Sequence, residues 1–266
     1  MLHKQAYLVV FVFLIIQSCT KKSEIKTNHS LPISSSEKNR IKSLGFSSDG
    51  AIKTDSGFIV ERDIFLPSRH LSDTPQQIFI RLAVAEQYRT FNVVKVPRTV
   101  TVSCDRMPSA FIAAVDTMIN RYNRLNLNLK FRRVATLGSI YMKPNYNIVG
   151  NTIAFAGFPT SNGNPYHEVN INMNMYRSFT MNQWGIVLQH EIGHCIGLRH
   201  TDYMDRSFSC FGNAINEGSG GVGAIHIPGT PSQPDRLSFM LSCFDGNSNL
   251  SFNNNDVLAL RYLFKR

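Results

Sequence analysis

Nowhere in this chain do lysine and arginine crowd together with interleaved aromatic residues. The formal charge of +10 is scattered, so it marks a basic protein and gives no ground for a nucleic-acid surface. No internal repeat is present, and no D-x-D-x-D-G pattern supports a calcium loop among the Asn- and Asp-rich connections. Near the N-terminus one apolar run is unbroken, Ala6 to Ile16, and it is too short to span a bilayer as a stable helix. Cysteine is sparse, with five in 266 residues. What remains is an ordinary globular composition, 43% hydrophobic, with room for one full domain and an N-terminal extension.

The apolar run has a meaning of its own. His3 and Lys4 precede it and Ile16-Gln17-Ser18-Cys19 follows, so residues 1–18 read as a targeting segment. The tetrapeptide resembles a bacterial lipobox, which implies a lipidated Cys19 as mature first residue and an envelope protein anchored at the outer membrane or cell surface. Gln17 is not the usual small residue, so ordinary secretory cleavage stays open. Residues 19–40 are rich in Ser, Lys, Asn and Thr and read as a disordered tether. Export permits disulfides among Cys104, Cys195, Cys210 and Cys243; four cysteines allow three complete pairings, and the sequence chooses none.

The most informative stretch is Thr180 to His200. It contains His190-Glu191-Ile192-Gly193-His194-Cys195-Ile196-Gly197-Leu198-Arg199-His200, the pattern H-E-x-x-H-x-x-G-x-x-H. On a helix, His190 and His194 lie one turn apart and face the same way, so both imidazoles reach one ion. Glu191 stands at the edge of that face, where it can take a proton from a water at the metal. A third ligand six residues on requires the helix to stop, and Gly197 accepts the left-handed backbone of a helix stop. The chain can then return His200 to the metal. Three neutral nitrogens leave a fourth position open, as catalytic zinc requires. Thr180 with Gln183 forms a capping box for this helix, and Trp184, Val187, Leu188, Ile192 and Cys195 give it an apolar side. Cys195 reads as structural, packed or bridged, because a thiolate ligand would close the site.

These residues resemble the metzincin clan of zinc endopeptidases. The string HEIGHCIGLRHTD, with AIHIPGTP and SFML after it, resembles the bacterial HEIGH metallopeptidase family in particular, from about Gly45 onward. The resemblance implies an α+β fold: a twisted mixed sheet, an active-site helix above the cleft, and a loop-rich lower subdomain with a Met-turn and a C-terminal helix. It also implies one Zn²⁺ ion, protein or peptide substrates and Glu191 as general base. Met240 is the candidate for the Met-turn by position. Ser242 stands where some relatives carry a further tyrosine ligand, so that ligand is absent. Thr201 is not the residue of the best-known branches, and their subsite rules do not transfer. Asp202 is a candidate to orient a ligand histidine, the alternative being a surface carboxylate. Tyr203 could serve a developing oxyanion but reads more simply as a packed tyrosine. His167 and Glu168 are a poor ligand set for a second metal.

Along the chain, residues 41–99 form an N-terminal segment and residues 100–266 the catalytic domain. Gly57 to Leu66 reads as a strand and then loop, and Pro75 to Tyr88 is undecided between strand and helix. Val100–Ser103, Leu127–Val134, Asn147–Phe158 and Val169–Met173 read as strands, and Pro108–Tyr122 as a helix. The resemblance makes Asn170–Met173 the cleft-edge strand that pairs with substrate. After His200 no long regular element is expected until Asn253 to Asp256 cap a last helix.

Val60-Glu61-Arg62-Asp63-Ile64 resembles the propeptide segment of astacin-type metzincins, in which an aspartate occupies the open zinc position. Asp63 is the matching residue, but Arg62 stands where glycine is usual. A turn residue in a permanent N-terminal subdomain is therefore the preferred reading of Asp63, with a latency ligand as the alternative. The function expected is zinc-dependent endopeptidase. Its rival is a non-catalytic surface-binding lipoprotein on the same scaffold, which would have no need of Glu191.

Overall fold

The computed structural model describes residues 31–72, 87–148, 150–210, 212–218, 222–231, 233–246 and 251–265. The targeting segment, Cys19, the first part of the tether and most of Pro75–Tyr88 lie outside these residues. In chain order the elements are α1 (Ser35–Ser43), β1 (Ile52–Lys53), β2 (Gly57–Val60), β3 (Ile64–Pro67), α2 (Arg69–Ser72), β4 (Tyr88–Arg89) and β5 (Arg98–Ser103). There follow α3 (Phe111–Arg124), β6 (Leu129–Arg133), β7 (Ile140–Asn145), β8 (Ala154–Ala156), β9 (Glu168–Asn172), α4 (Met181–Ile196), β10 (Ile225–His226) and α5 (Asn254–Phe264). This is an α+β fold. Among the described residues no helix is long and apolar enough to cross a membrane.

Eight strands form one sheet in the order β1-β2-β3-β8-β9-β7-β5-β6. β9, β7, β5 and β6 pair in parallel, whereas β8 runs antiparallel to β9. Alternation decides which face of these strands is buried: Val100 and Val102 of β5, Val169 and Ile171 of β9, and Leu129 and Phe131 of β6 enter one core with α3, α4 and α5. Helices α3 and α4 pack on each other through Phe111 against Trp184, and Tyr122 donates its hydroxyl to the Gln189 carbonyl at 2.8 Å. β4 and β10 form a separate two-stranded ribbon.

Several expectations need correction. The tether ends before residue 40: Ser34 and Glu37 form a capping box that starts α1, and Ile41 is buried against Phe46, Phe58 and Leu66. Gly57 to Leu66 is a hairpin of β2 and β3 rather than a strand and a loop. β7 went unread because Pro144 interrupts its pattern; the proline sits near the strand end, opposite Ile171. Of Asn147–Phe158 the strand is Ala154–Ala156 alone. The strand before the zinc-motif helix is not an edge, since β9 is flanked by β8 and β7. Asn170–Met173 therefore has no free side for a substrate strand. Gln87–Val96, grouped by sequence with the N-terminal segment, hydrogen-bonds into the body: Thr90 N donates to the Gly197 carbonyl at 2.8 Å and Val94 N to that of Ile196 at 3.2 Å.

Candidate metal centre

Helix α4 begins at the Thr180–Gln183 capping box and ends at Gly197, whose φ of 115° is open to glycine and strained for other residues. His190 and His194 share one face of this helix, and the chain beyond Gly197 turns back to set His200 beside them. The His194 and His200 Nε2 atoms are 3.2 Å apart. Gly193 lies over Met240, and a methyl group there would run into the Met240 sulfur. Met240 is fully buried, and its carbonyl accepts from Thr201 N, next to His200, at 2.8 Å. The glycine inside the motif is thus a packing requirement.

Each histidine is oriented through its other nitrogen. His190 Nδ1 donates to the Phe239 carbonyl and His194 Nδ1 to the Leu198 carbonyl, both at 2.9 Å. His200 Nδ1 faces both oxygens of Glu217, at 3.0 and 3.1 Å. The Nδ1 atoms of His190 and His194 must carry hydrogen because carbonyls only accept, which leaves their Nε2 lone pairs turned toward the centre. Glu217 is itself gripped by Arg206 at 3.3 Å, Arg199 at 3.7 Å and the Ser242 hydroxyl at 3.1 Å. Burial works against its charge, yet His200 and the two arginines outweigh this and lower its pKa. Glu217 is a residue that sequence reasoning missed. It is one of five acids between His200 and Leu250, and nothing in the spacing singles it out.

Asp202, the candidate for that orienting role, does not perform it. Its carboxylate accepts from Ser242 N and Oγ, both at 2.9 Å, and from the Ser209 hydroxyl. It braces the loop under the centre. Tyr203 packs edge-on against Tyr88, with ring centroids 4.4 Å apart. His167 leans on the Tyr166 ring, whereas Glu168 pairs with Lys143, so the two do not converge. Cys210 and Cys243 form a disulfide that ties the loop after His200 to the turn after Met240; Cys104 and Cys195 are free and buried.

The turn between β2 and β3 changes the reading of Asp63. Glu61 and Arg62 have φ values of 54° and 79°, a left-handed backbone that costs non-glycine residues about 1–3 kcal/mol each. Arg62 thereby adopts the conformation glycine would take, and Asp63 enters the centre. Its Oδ2 lies 3.4 Å from His190 Nε2, and its Oδ1 lies 3.2 Å from His200 Nε2 and 4.0 Å from His194 Nε2. Asp63 is more than a turn residue of a remote scaffold. Glu61 beside it is fully buried against Arg199 at 3.2 Å.

The donor set fits a metal ion. Asp63, His190, His194 and His200 each offer a ligand atom, all within 4.8 Å of one another. Tetrahedral ligands ~2.0–2.1 Å from one zinc ion stand roughly 3.3 Å apart, close to several of these separations. Asp63 Oδ1, His190 Nε2 and Glu191 Oε2 are buried without a hydrogen-bond partner, a costly state that a cation and its water would relieve. Burial alone would raise the Asp63 pKa, but His200 and His190 hold it well below the usual carboxylate range. Glu191 moves the opposite way, pushed well up by burial and by the Asp63 charge. Burial, helped by His190 and His200, holds His194 well below the ordinary imidazole range. A cavity of about 300 Å³ adjoins the centre, lined by Asp63, His190, Glu191, Ile186, Val187 and Phe239 among others.

Comparison with known protein families agrees with this chemistry. The family described as dual-action HEIGH metallo-peptidase matches residues 59–264. Among solved structures, a structure of myroilysin is similar at 13% identity and a TM-score of 0.45, covering 66% of this chain and 96% of that one. High choriolytic enzyme 1, a hatching enzyme zinc-protease from Oryzias latipes (medaka fish), is similar at 15% identity and a TM-score of 0.41, covering 62% and 88%. No curated protein matches the chain.

Proposed function

Because the chain belongs to the dual-action HEIGH metallo-peptidase family, we propose that it is a zinc-dependent endopeptidase made in a latent form. The observation that carries this reading is the meeting of three histidine Nε2 atoms with the Asp63 carboxylate. His190, His194 and His200 would hold the ion, and Asp63 would take the position that catalysis needs open. Zinc bound there supplies a Lewis acid for the scissile carbonyl and a water acidified toward pKa ~7. Glu191 Oε2 would take a proton from a water held there and pass it to the departing amine nitrogen. Glu217 fixes the His200 ring, and the Phe239 and Leu198 carbonyls fix the other two. Departure of Asp63 would also remove a charge that raises the Glu191 pKa, leaving Glu191 better suited to act as a base.

The N-terminal hairpin would enforce latency twice. Beyond its aspartate, β3 lies along the outer side of β8, where Ala156 N donates to the Asp63 carbonyl at 2.8 Å. With β9 enclosed, β8 is the strand left to pair with an extended substrate once the hairpin departs. The rival, a non-catalytic binder, gives no use to a buried Glu191 carboxylate whose Oε2 has no hydrogen-bond partner. Cleavage of a peptide library by the full chain, and by chain cut between Ser72 and Gln87, with and without a chelator, tests the proposal. Activity is expected mainly after the cut, lost with chelator and restored by zinc. A cut chain inert in zinc would leave the binder. The lipid anchor is a separate proposal: Cys19→Ala should move the protein from the membrane to the soluble fraction, and an unchanged distribution would point to plain secretion.

A further inference from the structure

The three histidines are not held in equivalent ways. The carbonyl that receives His194 belongs to the end of its own helix, where Leu198 N donates back to the Gly193 carbonyl at 2.8 Å. The carboxylate that receives His200 is locked by two arginines. The Phe239 carbonyl that receives His190 belongs to an irregular turn 49 residues away, and something must hold that turn.

One side chain does so. Asp256, on the first turn of α5 and fully buried, accepts from Phe239 N at 3.3 Å and from the Ser238 hydroxyl at 2.8 Å. The Ser238 oxygen in turn receives Met240 N at 3.1 Å. Asp256 also accepts from Asn253 N at 3.0 Å and from Gln87 Nε2 at 2.9 Å, and Gln87 reaches Ser238 as well, at 3.1 Å. Capping a helix does not need a buried carboxylate, since Asn253 already bonds to Asp256 N. Two of the donors to Asp256 instead belong to the turn whose next carbonyl holds His190.

We infer that Asp256 is a positioning residue of the metal centre, locking the Ser238–Met240 turn so that the Phe239 carbonyl fixes the His190 ring. Its influence runs from carboxylate to peptide to Nδ1, two steps from the ligating atom. It links the C-terminal helix and Gln87, just before β4, to one of the three histidines. The inference rests on the zinc reading given above.

The test is zinc affinity of the full-length chain by competition with a chromogenic chelator, together with the visible absorption of bound Co²⁺. Asp256→Asn presents an amide N–H₂ to backbone donors. It should weaken zinc by roughly tenfold and alter the cobalt spectrum, at the lower end of what outer-sphere partners of metal ligands contribute. Asn253→Ala loosens the same helix end but leaves the carboxylate, and both readouts should stay unchanged. Equal losses in the two variants, or wild-type affinity in Asp256→Asn, would overturn the inference. Should Asp256→Asn fail to fold, Ser238→Ala decides: it removes the hydroxyl's bonds to Asp256, Met240 N and Gln87 but leaves the bond from Phe239 N to Asp256, so about threefold weaker zinc, a partial loss of the brace, supports it, and unchanged affinity overturns it. Zinc binding by the unaltered chain checks the underlying reading. If that fails, the brace falls with it, whereas normal wild-type affinity with an indifferent Asp256→Asn removes the brace alone.

Discussion

Residues 31–72 and the body that follows Gln87 are held together by different physics. The body has one continuous core, in which Trp184, Met118, Val100 and Leu260 join three helices to the sheet. The N-terminal segment buries its own small cluster of Ile41, Phe46, Phe58, Val60, Ile64 and Leu66. It is attached at the Glu61–Asp63 turn, along one strand edge, and through a small apolar cluster in which Ile59 and Phe65 meet Ile148 and Phe155. There Glu61 meets Arg199, Asp63 meets the histidines, Thr152 donates to the Arg62 carbonyl, and Ile64 pairs with Ala156. Such an attachment is strong while its charges are matched, and it can come away without opening the main core. The proposed latent form requires that property.

The two regions should answer pH with opposite signs. In the body, burial raises the Asp256 pKa to about 7 despite hydrogen bonds from Asn253, Ser238 and Phe239 that lower it. A raised folded-state pKa gives stability that is full below the unfolded value near 3.8 and is lost as pH rises through about 7. In the segment, Lys53 beside Glu37 and the capping backbone lower Glu37 to about 2. That contribution is present above about 4.5 and fades as pH falls toward 2. Urea unfolding of wild type and Asp256→Asn between pH 4 and 8 checks the larger effect. The wild type should lose up to ~4 kcal/mol relative to the variant across that range, at about 1.4 kcal/mol per pKa unit. Parallel curves would show that Asp256 titrates near its ordinary value.

Next in size is Glu191→Gln, which leaves the three histidines intact while removing the proposed proton acceptor. Turnover by cut chain should fall ~10²-fold or more with zinc still bound. Near-normal turnover would remove Glu191 from the chemistry.

Asp63→Ala tests the segment's side of the comparison. Uncut protein should gain activity by roughly tenfold or more, the equivalent of ~1.4 kcal/mol, without any cleavage. Full-length protein that is already active and indifferent to the change would make residues 31–72 permanent scaffold. The smallest effect is expected from Glu61→Gln, because Arg199 keeps Glu217 as a partner. It should weaken the hold of the segment by ~1 kcal/mol, seen as a severalfold rise in the residual activity of uncut chain. No change would place the whole hold on Asp63.

The sequence by itself determined the parts whose chemistry is local. A helix with histidines one turn apart, its capping box at Thr180, its stop at Gly197 and the cap of α5 at Asn253 all follow from residues within four to seven positions of one another. The capping box at Ser34 was equally local but lay hidden in a stretch whose composition reads as tether. Only the tertiary structure decided what depends on distant segments meeting. Glu217 was one acid among several in a loop until folding put it against His200. β9 looked like an edge until β8 closed it off, because strand order is a property of the sheet and not of any strand. The pairing of Cys210 with Cys243 followed from the same loop placement. Asp63 shows the division most sharply. Its neighbour Arg62 argued against a close approach, since glycine suits such a turn. The fold holds Arg62 at a φ of 79° all the same, with Glu61 buried on Arg199 and β3 paired to β8. Long-range contacts offset a local strain of a few kcal/mol, and a local reading of the sequence registers only the strain.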